Sequence, residues 1–334
     1  MKTTKFTAAI CTHLEGPKQV RLETIEAGPL QKNEVLIDVR AAALNFPDLL
    51  MTYGKYQFKP PLPFVVGMEG AGIVTAVGRS DCPFQIGDKV MFKGKTGACG
   101  HMICVDMAQV LLLPKSLTFE EGAAFSVTFS TAYIALRRRA RLQAGEYLLV
   151  LGAGGGVGQA SVAVGKALGA SVIAAASSDD KLEIAKASGA DYLIRYDGNR
   201  FAETVSRITH GQGAGVILDP VGGDLLEESV RSLAWQGRLL TVGFASGSFG
   251  HVPLDLLREK GATLVGVRAG EYGRRNPAAG LSAQSELMAL TEKHGLKPYI
   301  GRSWHFNEVG KALLAMEKRH VTGKQIIKMG DAGD

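Results

Sequence analysis

Five glycines in seven positions, Gly152, Gly154, Gly155, Gly156 and Gly158, follow the apolar run Leu148 to Leu151 and lead into a small-residue stretch. Gly152, Gly155 and Gly158 recur every third residue, which suits a strand-to-helix turn that holds a pyrophosphate. One glycine supplies a backbone angle closed to other residues, one lets the phosphates approach, and one lets the helix pack on its sheet. The free N–H groups and the dipole of the helix that follows favour an anion at that point. The spacing departs from a strict G-x-G-x-x-G, and a glycine turn that binds nothing is the competing reading. A second constellation lies one strand further on, where Ser177 and Lys181 follow the run Ser171 to Ala176. The end of that strand selects the dinucleotide: a carboxylate holds the ribose 2′-hydroxyl of NAD, whereas a small or basic environment admits the 2′-phosphate of NADP. Ser177 and Lys181 favour NADPH; if the strand runs two residues longer, Asp179 is the NAD carboxylate instead. The following Lys-Leu-Glu-Ile pattern suits Asp179 and Asp180 as first-turn residues of a helix.

These residues need a βαβ unit, and the surrounding sequence supplies one. Val162 to Leu168 continues the helix, Gly169 ends it, and Ser171 to Ala176 is a second strand. From about residue 128 helices alternate with the apolar strands Tyr147 to Leu151, Ser171 to Ala176, Tyr192 to Arg195, Gly215 to Asp219, Arg238 to Val242 and Thr263 to Val267. That order predicts an α/β fold with a doubly wound parallel sheet. Gly270 to Gly280 interrupts it. A helix over about 282–294, a short strand, a helix over about 307–320 and a strand Lys324 to Met329 follow. Residues 1 to about 113 instead alternate in short strands with frequent Gly and Pro, the pattern of a β-rich domain. Thr118 with Glu121 is a capping box where the character changes.

A chain of 334 residues accommodates two domains, and 21% charged with 46% hydrophobic residues is a globular composition. Met1 to Ile10 has no apolar signal-peptide core and no later stretch reaches about 18 uncharged apolar residues, so a cytoplasmic chain without a membrane span is expected. Four cysteines (Cys11, Cys82, Cys99, Cys104) do not make a disulfide framework. The net charge is +6, and the densest basic run, Arg137, Arg138, Arg139 and Arg141, lies at a predicted helix end without interleaved aromatics, so a solvated face is expected rather than a nucleic-acid surface.

The remaining motifs carry a family resemblance along the whole chain. Asn45-Phe46-Pro47-Asp48, Gly54 to Tyr56, Pro61 to Phe64, Gly67 to Val74, Gly87 to Val90, Phe119 to Phe125, Thr131 to Tyr133, Asp219 to Gly223, Gly243 to Gly247 and Thr322 to Lys324 resemble the zinc-free quinone oxidoreductases of the medium-chain dehydrogenase/reductase superfamily. The resemblance implies a GroES-like β-rich domain from residues 1–127 and 271–334 and a Rossmann domain over 128–270, with NADPH in the cleft. It implies that Asn45 and Tyr56 reach the nicotinamide end, Asn45 holding the cofactor's ribose or carboxamide and Tyr56 hydrogen-bonding the acceptor oxygen. A loop aromatic packed over Pro60 and Pro61 is the competing reading for Tyr56. Further implied cofactor contacts are Thr131, Gly155, Gly156, Val157 and Gly158, with Ser177, Lys181 and Tyr196 around the 2′-phosphate, Val242, Gly243 and Phe244 lining the nicotinamide, and Lys324 near the phosphates.

The superfamily's zinc enzymes place a Cys where this chain has Phe46 or Pro47, a His where it has Met68, and a four-cysteine lobe where it runs directly from Lys89 to Gly100. No metal site is expected: Cys99 and His101 alternate away from Cys104 in a turn entering a strand. Without a Lewis acid to stabilise an alkoxide, simple alcohols are disfavoured substrates and an already electrophilic acceptor is expected, a quinone or an activated alkene. A 2-enoyl thioester reductase is the alternative within enzymes, with Arg274 and Arg275 suiting an anionic carrier. A non-catalytic NADPH-binding protein, crystallin-like or RNA-binding, is the alternative outside them. A homodimer is expected through the Thr263 to Val267 edge strand, whose apolar content needs cover.

Overall fold

The computed structural model describes residues 4–196, 200–319 and 321–330. Compactness divides the chain into one unit of residues 1–127 with 300–334 and another of Thr128–Tyr299.

The first unit begins with β1 (Lys5–Cys11), β2 (Val20–Glu26) and β3 (Glu34–Leu44). Along β3 the buried side chains Val35, Ile37 and Val39 alternate with partly exposed ones, and from Ala41 to Leu44 every residue is buried. Period-two burial that becomes continuous marks a strand whose far end is covered on both faces. Helix α1 (Phe46–Thr52) follows at once, opened by Pro47, which suits a first helical turn. Then come β4 (Phe64–Val65), β5 (Glu69–Val77), β6 (Lys89–Lys93), β7 (Met102–Asp106) and β8 (Val110–Leu112). Helix α2 (Phe119–Tyr133) carries the chain across the division.

The second unit is a six-stranded sheet of β9 (Tyr147–Val150), β10 (Ser171–Ala176), β11 (Tyr192–Arg195), β12 (Ala214–Asp219), β13 (Leu233–Thr241) and β14 (Thr263–Gly266), in the order β11-β10-β9-β12-β13-β14, with every pair parallel. Its helices are α3 (Gly156–Ala167), α4 (Asp179–Ala187), α5 (Ala202–Ile208), α6 (Leu225–Ser232), α7 (Leu254–Glu259), α8 (Ala269–Arg275) and α9 (Pro277–His294). The central strands are continuous apolar runs because helices cover both faces; Leu149, Ile173, Ile217 and Leu239 meet in one core. This is the expected doubly wound sheet.

Residues 271–299 belong to this unit, which corrects the expected boundary at 271. Their polar side chains face its helices: the Tyr133 hydroxyl and Arg138 both hydrogen-bond Glu286, and Gln159 is bridged to the Lys297 carbonyl and the Tyr299 amide. Helix α9 also starts earlier than expected, since Asn276 caps it through the Ala279 amide and Pro277 occupies its first turn.

The chain then returns to the first unit with β15 (Ile300–His305), α10 (Val309–Glu317) and β16 (Lys324–Lys328). The expected helix end at residue 320 lies outside the described residues. Strand β16 lies between β15 and β3, completing a sheet of order β15-β16-β3-β5-β6-β8, with β7 also on β3. A second sheet is β2-β1-β4.

Candidate dinucleotide and substrate site

The strand order reverses between β9 and β12, and in open parallel sheets ligands bind outside the carboxyl ends at that reversal. The turn from β9 into α3 is built as its glycines require. Gly152 has φ 57°, a left-handed conformation, and a Cβ on Gly158 would come within 2.2 Å of the Gly152 carbonyl oxygen. Helix α3 begins at Gly156 with no side chain capping it and no acidic residue in its first turn. A Cβ at Gly155 would meet only the Gly152 oxygen, 3.4 Å away. An open backbone cradle at an uncapped twelve-residue helix fits a pyrophosphate. Gly155, Gly156, Val157 and Gly158 are therefore together at the start of α3.

Strand β10 ends at Ala176 and α4 starts at Asp179, with Ser178 as its N-cap. Ser177 thus stands at the strand end, and the Lys181 ammonium donates to its hydroxyl at 3.3 Å. A Cβ at Gly154 would come within 2.4 Å of the Lys181 Cβ, so the phosphate turn and the lysine stem are adjacent. Tyr196 follows β11, its amide on the Ala176 carbonyl at 3.1 Å. Burial, and then the Asp219 charge, raise its phenol above the ordinary tyrosine range. Asp179 lies in the first turn of α4 with its carboxylate paired to Arg195 at 2.8 Å.

Asp219 ends β12 fully buried, its Oδ1 accepting from the Val221 and Gly222 amides at 2.7 and 2.8 Å. Burial raises its carboxyl and those two amides act against the rise. The loop after β13 is stitched to the same place by the Val242 amide on the Asp219 carbonyl and the Ser246 amide on the Val221 carbonyl. Val242, Gly243 and Phe244 are half-buried there, and the Phe244 ring lies 4.6 Å from Phe249. Thr131 is half-buried on α2.

In the first unit four polar side chains meet in the interior. The Lys324 ammonium, 3% exposed, donates to Glu69 (2.8 Å), to the Asn45 carboxamide oxygen (2.7 Å) and to the Leu44 carbonyl (3.2 Å). The Asn45 NH2 group donates to Glu69 at 3.0 Å, and the other Glu69 oxygen accepts from the Val127 amide at 2.6 Å. Asp48 accepts from the Asn45 amide at 2.8 Å. Burial pushes Asp48 up to about 7; the Asn45 amide and Lys324 oppose this and Glu69 adds to it. Burial and the nearby Asp48 likewise raise the Cys99 thiol well above the ordinary range.

The three N–H donors of Lys324 meet three acceptors inside the unit, and the Asn45 carboxamide joins Lys324 to Glu69 at the start of α1. Tyr56 is half-buried and packs on the core of this unit. Asp48 and Glu69 had been visible only as parts of motifs; the signal was a carboxylate opening an otherwise apolar, glycine-rich strand, Glu69 to Val77, where burial of a charge demands a cation.

Cys99 is buried, while Cys104 on β7 is half-buried. The His101 ring nitrogens lie 3.1 and 2.9 Å from the Thr7 and Met329 carbonyl oxygens. Among the described residues no group of three or more His, Cys, Asp or Glu is placed to hold a metal ion, and no helix is long and apolar enough to cross a membrane.

A model of the alcohol dehydrogenase GroES-like domain matches residues 31–125, and one of the zinc-binding dehydrogenase domain matches residues 156–285. With the parallel sheet and its glycine turn, this pairing defines an NAD(P)-dependent oxidoreductase of the medium-chain superfamily. Quinone oxidoreductase-like protein 2 of Mus musculus is 33% identical over 325 residues, covering 97% of this chain and 92% of that one. A quinone oxidoreductase of Pseudomonas syringae pv. Tomato has a TM-score of 0.88 at 30% identity, over 97% of this chain and all (100%) of that one. A mycobacterial protein solved in complex with NADPH has a TM-score of 0.89 at 26% identity, over 97% and 100%. The chain belongs to the quinone oxidoreductase-like family of the medium-chain dehydrogenase/reductase superfamily.

Proposed function

We propose that this protein is an NADPH-dependent, zinc-independent reductase that delivers hydride to a quinone or an activated alkene. The observation that carries the reading is the end of β10, where a hydroxyl and an ammonium, Ser177 and Lys181, occupy the place at which a carboxylate would select NAD. The uncapped start of α3 supports the pyrophosphate, and Tyr196 stands one strand over from the 2′-phosphate position. The NADPH complex of the mycobacterial neighbour and the names of the mouse and Pseudomonas proteins support the same reading.

A bound nicotinamide dinucleotide supplies the hydride. Val242, Gly243 and Phe244 would hold that dinucleotide, with Thr131 as a further contact. Tyr56 would donate a hydrogen bond to the acceptor oxygen, where negative charge develops. Zinc independence rests on residue types: Phe46, Pro47 and Met68 cannot ligate zinc as Cys and His do, and their neighbours Asn45 and Glu69 hold the Lys324 ammonium. The protein acts as a cytoplasmic homodimer joined through β14, an outer strand of its sheet with Leu264 exposed.

Oxidation of NADPH and NADH against a benzoquinone, a phenanthrenequinone, an enone and crotonyl-CoA tests the reading. NADPH-selective turnover of a quinone or enone that survives a chelator is the expected result. Turnover of crotonyl-CoA alone would make the protein an enoyl thioester reductase, and tight NADPH binding without any turnover would make it a binding protein.

A further inference from the structure

The NADP reading leaves a difficulty at its own site: Asp179 and Asp180 stand two and three residues after Ser177, and unneutralised carboxylates beside a phosphate weaken its binding. The structure meets it with a residue from the neighbouring strand. In the parallel pair of β10 and β11, Ala176 is the register partner of Arg195, so Arg195 sits beside the last residue of the strand that selects the dinucleotide. Its guanidinium pairs with the Asp179 carboxylate at 2.8 Å. Around the end of β10 the side chains of Ser177, Lys181, Arg195 and Asp179 are thus gathered, with Tyr196 next in the chain. Asp180, the next residue round α4, is exposed.

We propose that Arg195 and Asp179 form a cofactor-specificity device. Arg195 occupies the Asp179 carboxylate, which could otherwise bind a ribose 2′-hydroxyl, and adds a second cation to Lys181, so that the site prefers a 2′-phosphate. The pair is exposed, and its contribution to folding is small for that reason. Its effect falls on the ligand, because the removal of Arg195 deletes a positive charge and frees a negative one at the same place. The inference rests on the NADPH reading above, and equilibrium binding separates the two.

Dissociation constants for NADPH, NADH and adenosine 2′-monophosphate are to be measured by calorimetry for the wild type, Arg195→Gln, Asp179→Asn and the double variant, with thermal melting confirming the fold of each. The expected result is that Arg195→Gln weakens NADPH and the 2′-monophosphate by about tenfold while NADH holds or tightens. Asp179→Asn leaves NADPH tight, and the double variant recovers part of the loss because the freed carboxylate is gone. A wild type that prefers NADPH together with an Arg195→Gln variant of unchanged preference overturns the device alone. A wild type that binds NADH as tightly as NADPH overturns both it and the NADPH reading.

Discussion

Asp48 makes the stability of the first unit depend on pH in the direction opposite to that of most carboxylates. Its carboxyl is fully buried and is pushed from an ordinary 3.8 up to about 7, chiefly by burial. Between those two values the unfolded chain has lost the proton that the native protein keeps, so the native state binds more protons and stability falls as pH rises. The fall begins near the ordinary value and is complete above pH 7. The whole rise corresponds to about 4 kcal/mol, of which about 3 kcal/mol falls between pH 5 and pH 8. Asp48→Asn keeps an oxygen for the Asn45 amide and cannot ionise. The margin of the variant over the wild type should widen by about 2 to 3 kcal/mol between pH 5 and pH 8. Urea unfolding followed by tryptophan emission without added cofactor measures this. Trp304 is buried in the first unit and reports on it, whereas Trp235 is 69% exposed in the second and changes little. Parallel pH profiles for wild type and variant would show that Asp48 is ionised in the native protein and refute the reasoning.

Lys324→Met leaves Glu69 buried without its cation and should destabilise by about 3 to 5 kcal/mol, while the double variant with Glu69→Gln should regain part of that loss in the same urea assay. Lys181→Ala should weaken NADPH by about 1 to 2 kcal/mol in calorimetry and leave NADH almost unchanged; equal losses would remove the 2′-phosphate assignment. Gly158→Val must push a side chain into the Gly152 carbonyl and should abolish binding of both dinucleotides, a result that retained NADH affinity would contradict.

The Rossmann sheet was legible because its strands are apolar runs at regular spacing, and five of the six expected strands both start and end within a residue of the observed ones. The glycine turn and Ser177 with Lys181 were legible for the same reason: local sequence determines where β9 and β10 stop. Lys324, Glu69 and Asn45 were not. Their partners lie 24 to 279 residues apart, and no local period records which buried cation answers which buried carboxylate. The boundary at residue 300 was missed because Gly270 to Gly280 reads as an interruption, while the attachments of α9 to Tyr133 and Arg138 depend on side chains distant in sequence. Arg195 read only as a strand end; its place beside Ala176 comes from sheet register.

The position of β16 between β15 and β3 has a consequence for biosynthesis. Lys324 reaches the Leu44 carbonyl across 280 residues of chain, and at ordinary translation rates of about 5 to 20 residues per second that interval lasts about 14 to 56 s. Throughout it the Ala41–Leu44 end of β3 lacks its neighbour β16 and Glu69 lacks its countercharge, while the complete α/β unit encoded in between emerges from the ribosome. The first unit is therefore completed only after the whole second unit has been made, when the lysine-bearing β16 joins β3.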